Sequence, residues 1–141
     1  MPAAIGAKIA APERTVVCVT GDGDLMMSVQ ELATAAQYHA GVIFLVLNNS
    51  MYGTIRLHQE RRFPGRVSGT ALVNPDFPRL AESFGALGVS VSHTAGFAAA
   101  LGEAVAYTRE RRLPALIELA CDPDLLTPEA TVTSLRGAKS P

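Results

Sequence analysis

The sequence has 141 residues, of which 48% are apolar and 18% charged, and twelve basic against thirteen acidic residues give a formal net charge of −1. This composition excludes a disordered chain and a general nucleic-acid binder, which needs a net basic surface. No apolar run approaches the roughly 18 residues that a membrane-spanning helix requires. The apolar start lacks the basic segment of a signal peptide, and Cys18 and Cys121 lie in apolar runs. We therefore expect free thiols and a cytoplasmic protein.

The first half of the chain alternates two kinds of pattern. Continuous apolar runs of strand length, typical of strands buried on both faces, follow segments with a helical period. Ser28 and Glu31 have the spacing of a capping box, which predicts the start of a helix. In chain order, the predicted elements are a helix over 3–10, a strand over 15–20, a helix over 29–39, a strand over 42–47 and a polar helix over 52–62.

The second half continues the alternation. Asn74-Pro75 is typical of a helix start, with Asn as the cap and Pro in the first turn, and Thr94 predicts the cap of a longer helix. The predicted elements here are a loop over 63–73, a helix over 75–84, a strand over 87–91, a helix from Thr94 and a strand over 115–120. We assign residues 1–121 to one domain. Residues 122–141 are predicted to form a polar, irregular tail with a short turn near Thr127-Pro128.

This order of elements indicates the fold class. Strand–helix–strand alternation implies parallel pairing with right-handed crossovers, which predicts an α/β fold with a doubly wound parallel sheet and helices on both faces. The chain begins directly in a helix, with no leading strand. We therefore expect either a helix that packs on the sheet alone or a sheet that lacks its first strand.

Two polar clusters follow predicted strands. Gly21-Asp22-Gly23-Asp24 comes directly after the first strand, and Asn48-Asn49 directly after the second. Ligands of such sheets bind beyond the carboxyl ends of the strands. If the two strands are neighbours, the clusters lie one strand spacing apart, roughly 5 Å.

The residue types at this edge favour a metal together with a phosphate. Asp22 offers a carboxylate, Asn49 a side-chain carbonyl, and Ser50 and Met51 backbone carbonyls. Such oxygen donors suit Mg²⁺ or Ca²⁺ rather than zinc, and Mg²⁺ commonly shares its shell with substrate phosphates. The glycines allow close approach of the backbone to a phosphate. Neither a P-loop nor a complete GxGxxG motif occurs, and Met26 breaks the EF-hand pattern.

Gly21-Asp22-Gly23, then 24 residues, then Asn48-Asn49, resembles the signature of thiamine diphosphate-dependent enzymes. The resemblance extends to the diphosphate-binding domain of the acetolactate synthase group. It includes Pro2-Ala-Ala-Ile-Gly-Ala7, Gln30-Glu-Leu-Ala-Thr-Ala35, Asn48-Asn-Ser-Met-Tyr-Gly53 and Pro114-Ala-Leu-Ile-Glu118.

Carried over by position, the resemblance assigns binding roles at this edge. Asp22 and Asn49 would bind Mg²⁺ through their side chains, and Met51 would bind it through its backbone carbonyl. The residues along the diphosphate would be Gly21, Gly23, Asp24, Tyr52 and Gly53.

The resemblance also implies the chemistry. The cofactor is an electron sink for decarboxylation of a 2-oxo acid and formation of a new C–C bond. The catalytic glutamate of the family belongs to a pyrimidine-binding domain, and FAD, where used, to a middle domain. Neither has a counterpart in this sequence. We therefore expect no catalytic residue in this chain, no turnover by the chain alone, and a homodimeric or homotetrameric assembly with a pyrimidine-binding domain from the same or a partner subunit.

Several alternatives remain open at this point. Glyoxylate carboligases, benzoylformate decarboxylases and sulfoacetaldehyde acetyltransferases share the motif, and a catalytically inactive domain that binds a phosphate ligand is a further alternative. His58 stands where acetolactate synthases often have a tryptophan that shapes the acceptor pocket, which makes it a candidate for the substrate pocket. The basic stretch Arg56–Arg66 and Glu118 have no role assigned from the sequence.

Overall fold

Four parallel strands form the central sheet of the computed structural model, which describes residues 1–137. Their spatial order is β1-β2-β4-β3. The strands are β1 (Val16–Gly21), β2 (Val42–Asn48), β3 (Leu87–Val91) and β4 (Ala115–Ala120). In the parallel register, Gly21 pairs with Leu47 and Asn48 with Ala120. The carboxyl ends of β1, β2 and β4 therefore meet at one edge of the sheet.

Helices lie on both faces of this sheet, as the strand–helix alternation predicts. They are α1 (Pro2–Ala10), α2 (Asp22–Met26), α3 (Glu31–Gln37), α4 (Gly53–Arg62), α5 (Phe77–Ser83), α6 (Phe97–Arg111) and α7 (Val132–Gly137), with a 3₁₀ turn over Thr94–Gly96. A two-stranded antiparallel hairpin, β5 (Leu125–Thr127) with β6 (Ala130–Thr131), precedes α7. No helix among residues 1–137 is long and apolar enough to cross a membrane.

The core is divided by the sheet into two layers. On one face, Ile5 of α1, Leu32 of α3 and Phe77 of α5 belong to one buried cluster with Phe44 of β2. On the other face, Ala100 and Ala104 of α6 are part of the second cluster. Burying a side chain such as Phe44, which is fully buried, contributes about 1.5–3 kcal/mol. The doubly wound α/β class predicted from the sequence is confirmed.

The outer strand β1 is covered on one face only. Val17 and Val19 are 45% and 64% exposed, and Leu47 on the adjoining strand is 42% exposed. These three residues form an uncovered apolar strip, which we call the β1 face. The core cluster that contains α6 residues includes residues of β2, β3 and β4 but none of β1.

Three local predictions were wrong. Ser28 makes no side-chain cap, because α3 begins at Glu31 and the Glu31 amide donates to the backbone carbonyl of Ser28 instead. Asn74 does not cap α5; Asp76 does, accepting from the amide of Arg79 at 3.0 Å. The predicted cap at Thr94 has no side-chain hydrogen bond either, since a 3₁₀ turn leads into α6.

The tail is more regular than its polar composition predicted. The turn near Thr127-Pro128 is present, but it joins β5 to β6, and α7 follows. The last part of the tail, residues 138–141, lies outside the described residues. The division into a domain over 1–121 and a tail over 122–141 stays a prediction, although the tail packs back on the domain.

Candidate functional site

The two polar clusters lie next to each other at the carboxyl edge of the sheet. β1 and β2 are neighbours in register, so the chain leaves β1 after Gly21 beside the point where it leaves β2 after Asn48. Asp22 begins α2 immediately after β1. Residues 24 or more positions apart in the sequence are thereby brought to one site.

A cleft of about 300 Å³ opens between these clusters. It is lined by all eight residues predicted to bind the cofactor or its metal: Gly21, Asp22, Gly23, Asp24, Asn49, Met51, Tyr52 and Gly53. The other lining residues are Met27, Leu47, Thr54, Ile55 and Leu126. Leu126 belongs to β5, so the C-terminal hairpin forms part of the wall.

Asp22 is a buried carboxylate without a cationic neighbour. It is 2% exposed, and its Oδ2 accepts a hydrogen bond of 2.7 Å from Asn74 Nδ2. Within residues 1–137, no lysine, arginine or histidine forms an ion pair with it. Burial, and then the charge of Asp22, raise the pKa of the Cys121 thiol, so this neighbour supplies no compensating charge. A buried carboxylate of this kind is costly unless a cation is bound to it.

The loop after β2 presents further oxygen atoms. Asn49 Oδ1 accepts from the Met51 amide at 3.2 Å, which closes a local turn, and Ser50 has a left-handed backbone with φ of 56°. Within the described residues, the Met51 carbonyl accepts no hydrogen bond. The loop is braced by residues 70–72, because Tyr52 donates to Thr70 and Leu72 donates to Ser50, each at 2.9 Å.

Gly23 is needed for the contact with Tyr52. A Cβ at position 23 would lie 2.6 Å from Tyr52 Cε1, which is closer than real Cβ contacts allow. The absence of a side chain at Gly23 therefore lets the first turn of α2 approach the loop after β2.

The N-terminus of α4 opens into the same cleft. Thr54 and Ile55 line it, and within the described residues the amides of Gly53, Thr54 and Ile55 have no acceptor. Free amides at the start of a ten-residue helix are a favourable environment for an anion.

These donors fit a hard divalent cation held together with a diphosphate. The protein oxygens are one carboxylate, one side-chain amide carbonyl and one free backbone carbonyl, from Asp22, Asn49 and Met51. Within the described residues no group of three His, Cys, Asp or Glu side chains is formed, as a zinc site would require. Mg²⁺ is commonly bound by one or two carboxylates plus substrate phosphates.

The structure places His58 away from this cleft. His58 is exposed on α4 and is not among the residues that line the cleft. Its neighbour in the same helix, Glu60, is fully buried and accepts from Arg56 and Arg136, so part of the basic stretch is used in ion pairs. Hydrogen bonds from Arg136 lower the pKa of Glu60 to about 2, against the opposing effect of burial.

Four residues of the site were given no role in it by the sequence analysis. Asn48, Asn74 and Glu118 form a hydrogen-bonded chain that ends at Asp22, and Leu126 forms part of the cleft wall. Asn48 was part of the recognised motif, but it had no role of its own. The sequence of β4 contained a signal for Glu118, because this carboxylate interrupts the otherwise apolar run over 115–120.

A larger cleft, of about 660 Å³, lies at the opposite edge, among residues that precede the strands. Its cations include Lys8 and Arg109, but Lys8 already donates to the backbone carbonyls of Pro12 and Arg14. Ligands of parallel sheets bind at the carboxyl edge, so the smaller cleft is the candidate site.

Comparison with known protein families agrees with this geometry. Residues 1–119 match the family model described as thiamine pyrophosphate enzyme, C-terminal TPP binding domain; thiamine pyrophosphate and thiamine diphosphate are the same compound. The chain therefore belongs to the thiamine diphosphate-dependent enzyme family, as the resemblance in the sequence indicated.

Individual relatives narrow the comparison. The chain is 45% identical over 114 residues to acetolactate synthase isozyme 3 large subunit of Escherichia coli (strain K12), covering 80% of this chain and 20% of that protein. It is 48% identical over 92 residues to acetolactate synthase large subunit of Haemophilus influenzae (strain ATCC 51907 / DSM 11121 / KW20 / Rd), covering 64% of this chain and 16% of that protein.

A solved structure shares the fold. The thiamine diphosphate-dependent 4-hydroxybenzoylformate decarboxylase of Rhodococcus jostii RHA1 aligns with a TM-score of 0.78 and 34% identity. The alignment covers 86% of this chain and 22% of that one. The chain thus spans about a fifth of the length of the relatives that it matches.

Proposed function

We propose that this chain is the Mg²⁺-dependent thiamine diphosphate-binding domain of a 2-oxo-acid carboligase or decarboxylase of the acetolactate synthase type. The observation that carries the proposal is the convergence of Asp22, Asn49 and the free Met51 carbonyl on one cleft, beside the free amides at the start of α4. The names of the relatives at 45% and 48% identity support the acetolactate synthase type.

In this proposal each residue has a binding task. Asp22, Asn49 and the Met51 carbonyl hold Mg²⁺, which neutralises the diphosphate. Backbone groups of the Gly21–Asp24 and Tyr52–Gly53 segments bind and orient the diphosphate. When bound, thiamine diphosphate supplies the electron sink for decarboxylation and C–C bond formation. The tasks of this chain are to bind and orient, and no residue here is assigned a proton transfer.

The wider assembly is also proposed. The substrate is a small 2-oxo acid, and the catalytic acid comes from a pyrimidine-binding domain of the same protein or of a partner subunit, so that this chain alone does not turn over. A homodimer or homotetramer is supported by the exposed β1 face, since uncovered apolar surface favours association. FAD, where the enzyme uses it, binds outside these residues. The free thiols of Cys18 and Cys121 are consistent with the cytoplasm.

His58 stays a proposed contact on the substrate side. It is exposed on α4, the helix whose first turn lines the cleft. A second candidate function, decarboxylation of a benzoylformate-type acid, is supported by the structural match to the Rhodococcus enzyme.

The proposal is tested by calorimetric titration of the full chain with thiamine diphosphate, with and without Mg²⁺. We expect binding that requires Mg²⁺ and that Asp22→Asn abolishes. Asp76→Asn is the matched control, because Asn caps a helix as well as Asp does. Asn49→Ala weakens binding by a smaller factor, because a neutral ligand is lost. Binding that is independent of Mg²⁺, or equal in wild type and Asp22→Asn, would contradict the proposal.

A further inference from the structure

We propose that Asn74 is a positioning residue for the Asp22 carboxylate, and that Glu118 sets the direction of the hydrogen-bonded chain through which Asn74 acts. The inference rests on the proposed function, in which Asp22 binds the metal. Asn74 and Glu118 lie outside the two polar clusters recognised in the sequence, Gly21–Asp24 and Asn48–Asn49. Asn48, which connects them, belongs to the second cluster but had no role assigned.

The chain of hydrogen bonds joins four segments of the fold. Asn48 Nδ2 at the end of β2 donates to Glu118 Oε1 on β4 at 2.7 Å. Asn74 Nδ2, just before α5, donates to Asn48 Oδ1 at 2.9 Å and to Asp22 Oδ2 at 2.7 Å. Residues separated by up to 96 positions are thus connected by three short bonds.

Glu118 sets the direction of the chain, and the Ser50 amide, which donates to Asn48 Oδ1, holds the Asn48 amide in the same direction. An ionised carboxylate only accepts hydrogen bonds, so the Asn48 amide has to turn its nitrogen toward Glu118 and its oxygen toward Asn74. Asn74 then faces two acceptors, Asn48 Oδ1 and Asp22 Oδ2, and its nitrogen has two hydrogens with which to satisfy them. Reversing either amide would place an oxygen against an oxygen.

This arrangement orients the metal ligand. Asn74 donates its hydrogen bond to Oδ2 of the buried Asp22 carboxylate. Within the described residues, the other oxygen of this carboxylate, Oδ1, accepts no hydrogen bond. The second oxygen, Oδ1, keeps both of its lone pairs free, and we expect it to be the one that binds the cation. Removing a hydrogen bond to the carboxylate of a metal ligand commonly lowers the affinity for the metal by about 10–100-fold.

The same chain also reaches the second metal-binding loop. Asn48 Oδ1 accepts from the Ser50 amide at 3.0 Å, and Ser50 directly precedes Met51. Asn48 therefore fixes both the Asn74 amide and the start of the loop that presents Asn49 and Met51. One polar chain sets the relative position of ligands that come from two different strands.

The test measures Mn²⁺ affinity by electron paramagnetic resonance, on the full chain saturated with thiamine diphosphate. We expect Asn74→Ala and Glu118→Met each to weaken Mn²⁺ binding by about 10–100-fold. Glu118→Gln is the matched control: Gln keeps an acceptor oxygen toward Asn48, so affinity should stay within about threefold of wild type. Wild-type affinity in Asn74→Ala, or equal loss in Glu118→Gln and Glu118→Met, would overturn the inference.

A double variant separates positioning from general loss of structure. If Asn74 and Glu118 act through one chain, the loss of Mn²⁺ affinity in Asn74→Ala with Glu118→Met should be smaller than the product of the losses in the two single variants. Additive losses would mean that the two residues act independently, which would contradict the inference. Failure of the proposed function gives a different result, namely Mn²⁺ affinity that is equal in wild type and Asp22→Asn. Loss in Asp22→Asn with wild-type affinity in Asn74→Ala overturns the positioning role alone.

Discussion

Arg136 donates two hydrogen bonds to the buried Glu60 carboxylate, Nη2 to Oε1 at 2.7 Å and Nε to Oε2 at 3.1 Å. The pair joins α7, at the end of the described chain, to α4, whose first turn lines the cleft. Glu60 also accepts from Arg56 at 3.0 Å and from the Gly65 amide at 2.8 Å. α7 directly follows the C-terminal hairpin that contributes Leu126 to the cleft wall. The charge-assisted bonds to Glu60 therefore hold this C-terminal segment against the domain.

The first prediction is a loss of stability in acid. In the folded chain the Glu60 pKa is about 2, against an ordinary value of 4.5. Below about pH 4.5 Glu60 is protonated in the unfolded chain but still ionised in the folded chain. The contribution of Glu60 to the free energy of unfolding is therefore complete above pH 4.5 and declines as the pH falls toward 2. Urea unfolding at several pH values between 7 and 2.5 measures it. Glu60→Gln should remove this part of the pH dependence; a Glu60→Gln curve parallel to that of wild type would contradict the assignment.

The second prediction concerns Arg136 itself. Arg136→Met leaves the buried Glu60 carboxylate with one arginine fewer and should lower the melting temperature by roughly 3–8 °C. The matched control is Arg109→Met, because Arg109 is exposed and, among residues 1–137, makes one long hydrogen bond, 3.5 Å to Thr15. Differential scanning calorimetry at pH 7 compares the two. Equal melting temperatures for the two variants would show that the pair does not hold the C-terminal segment.

The third prediction concerns the contact between Gly23 and Tyr52. Gly23→Ala would push a methyl group into the Tyr52 ring and should destabilise the fold by about 1–3 kcal/mol while weakening cofactor binding. Gly102→Ala is the control, since nothing lies within 4 Å of a Cβ there and Ala is favoured over Gly within a helix by about 0.5–1 kcal/mol. Chemical denaturation measures the free energy of unfolding of both variants relative to wild type. Adding Tyr52→Ala to Gly23→Ala should restore stability, and no recovery would refute the steric explanation.

The sequence predicted the sheet well because its strands are buried. The run 42–47 is continuously apolar, and the run 115–120 is apolar except for Glu118; such runs of strand length are typical of buried parallel strands. The prediction that Asp22 and Asn49 lie at the same edge followed from the parallel sheet, because neighbouring parallel strands have their carboxyl ends at one edge. All eight predicted binding residues line one cleft for this reason.

The residues that sequence reasoning missed act through contacts distant in the chain. Asn74-Pro75 is locally a good helix start, but the Asn74 amide is bound to Asp22 and Asn48, while the next residue that can cap, Asp76, takes over that task. Ser28 has the spacing of a cap, yet α3 starts two or three residues later. At Asn74 the local preference is overridden by hydrogen bonds to distant residues, whereas at Ser28 a local backbone turn replaces the side-chain cap. Leu126 could not be identified because nothing in its polar segment shows where the tail folds back.

The central claim is that one Mg²⁺ ion is held by Asp22, Asn49 and the Met51 carbonyl. A crystal structure of the full chain with thiamine diphosphate and Mg²⁺ tests it most directly. We expect the ion about 2.0–2.1 Å from Asp22 Oδ1, Asn49 Oδ1 and the Met51 oxygen, with diphosphate oxygens completing the shell. Asn74 should remain hydrogen-bonded to Asp22 Oδ2. A metal bound elsewhere, or a diphosphate bound in this cleft without any contact between the metal and Asp22, would contradict the account.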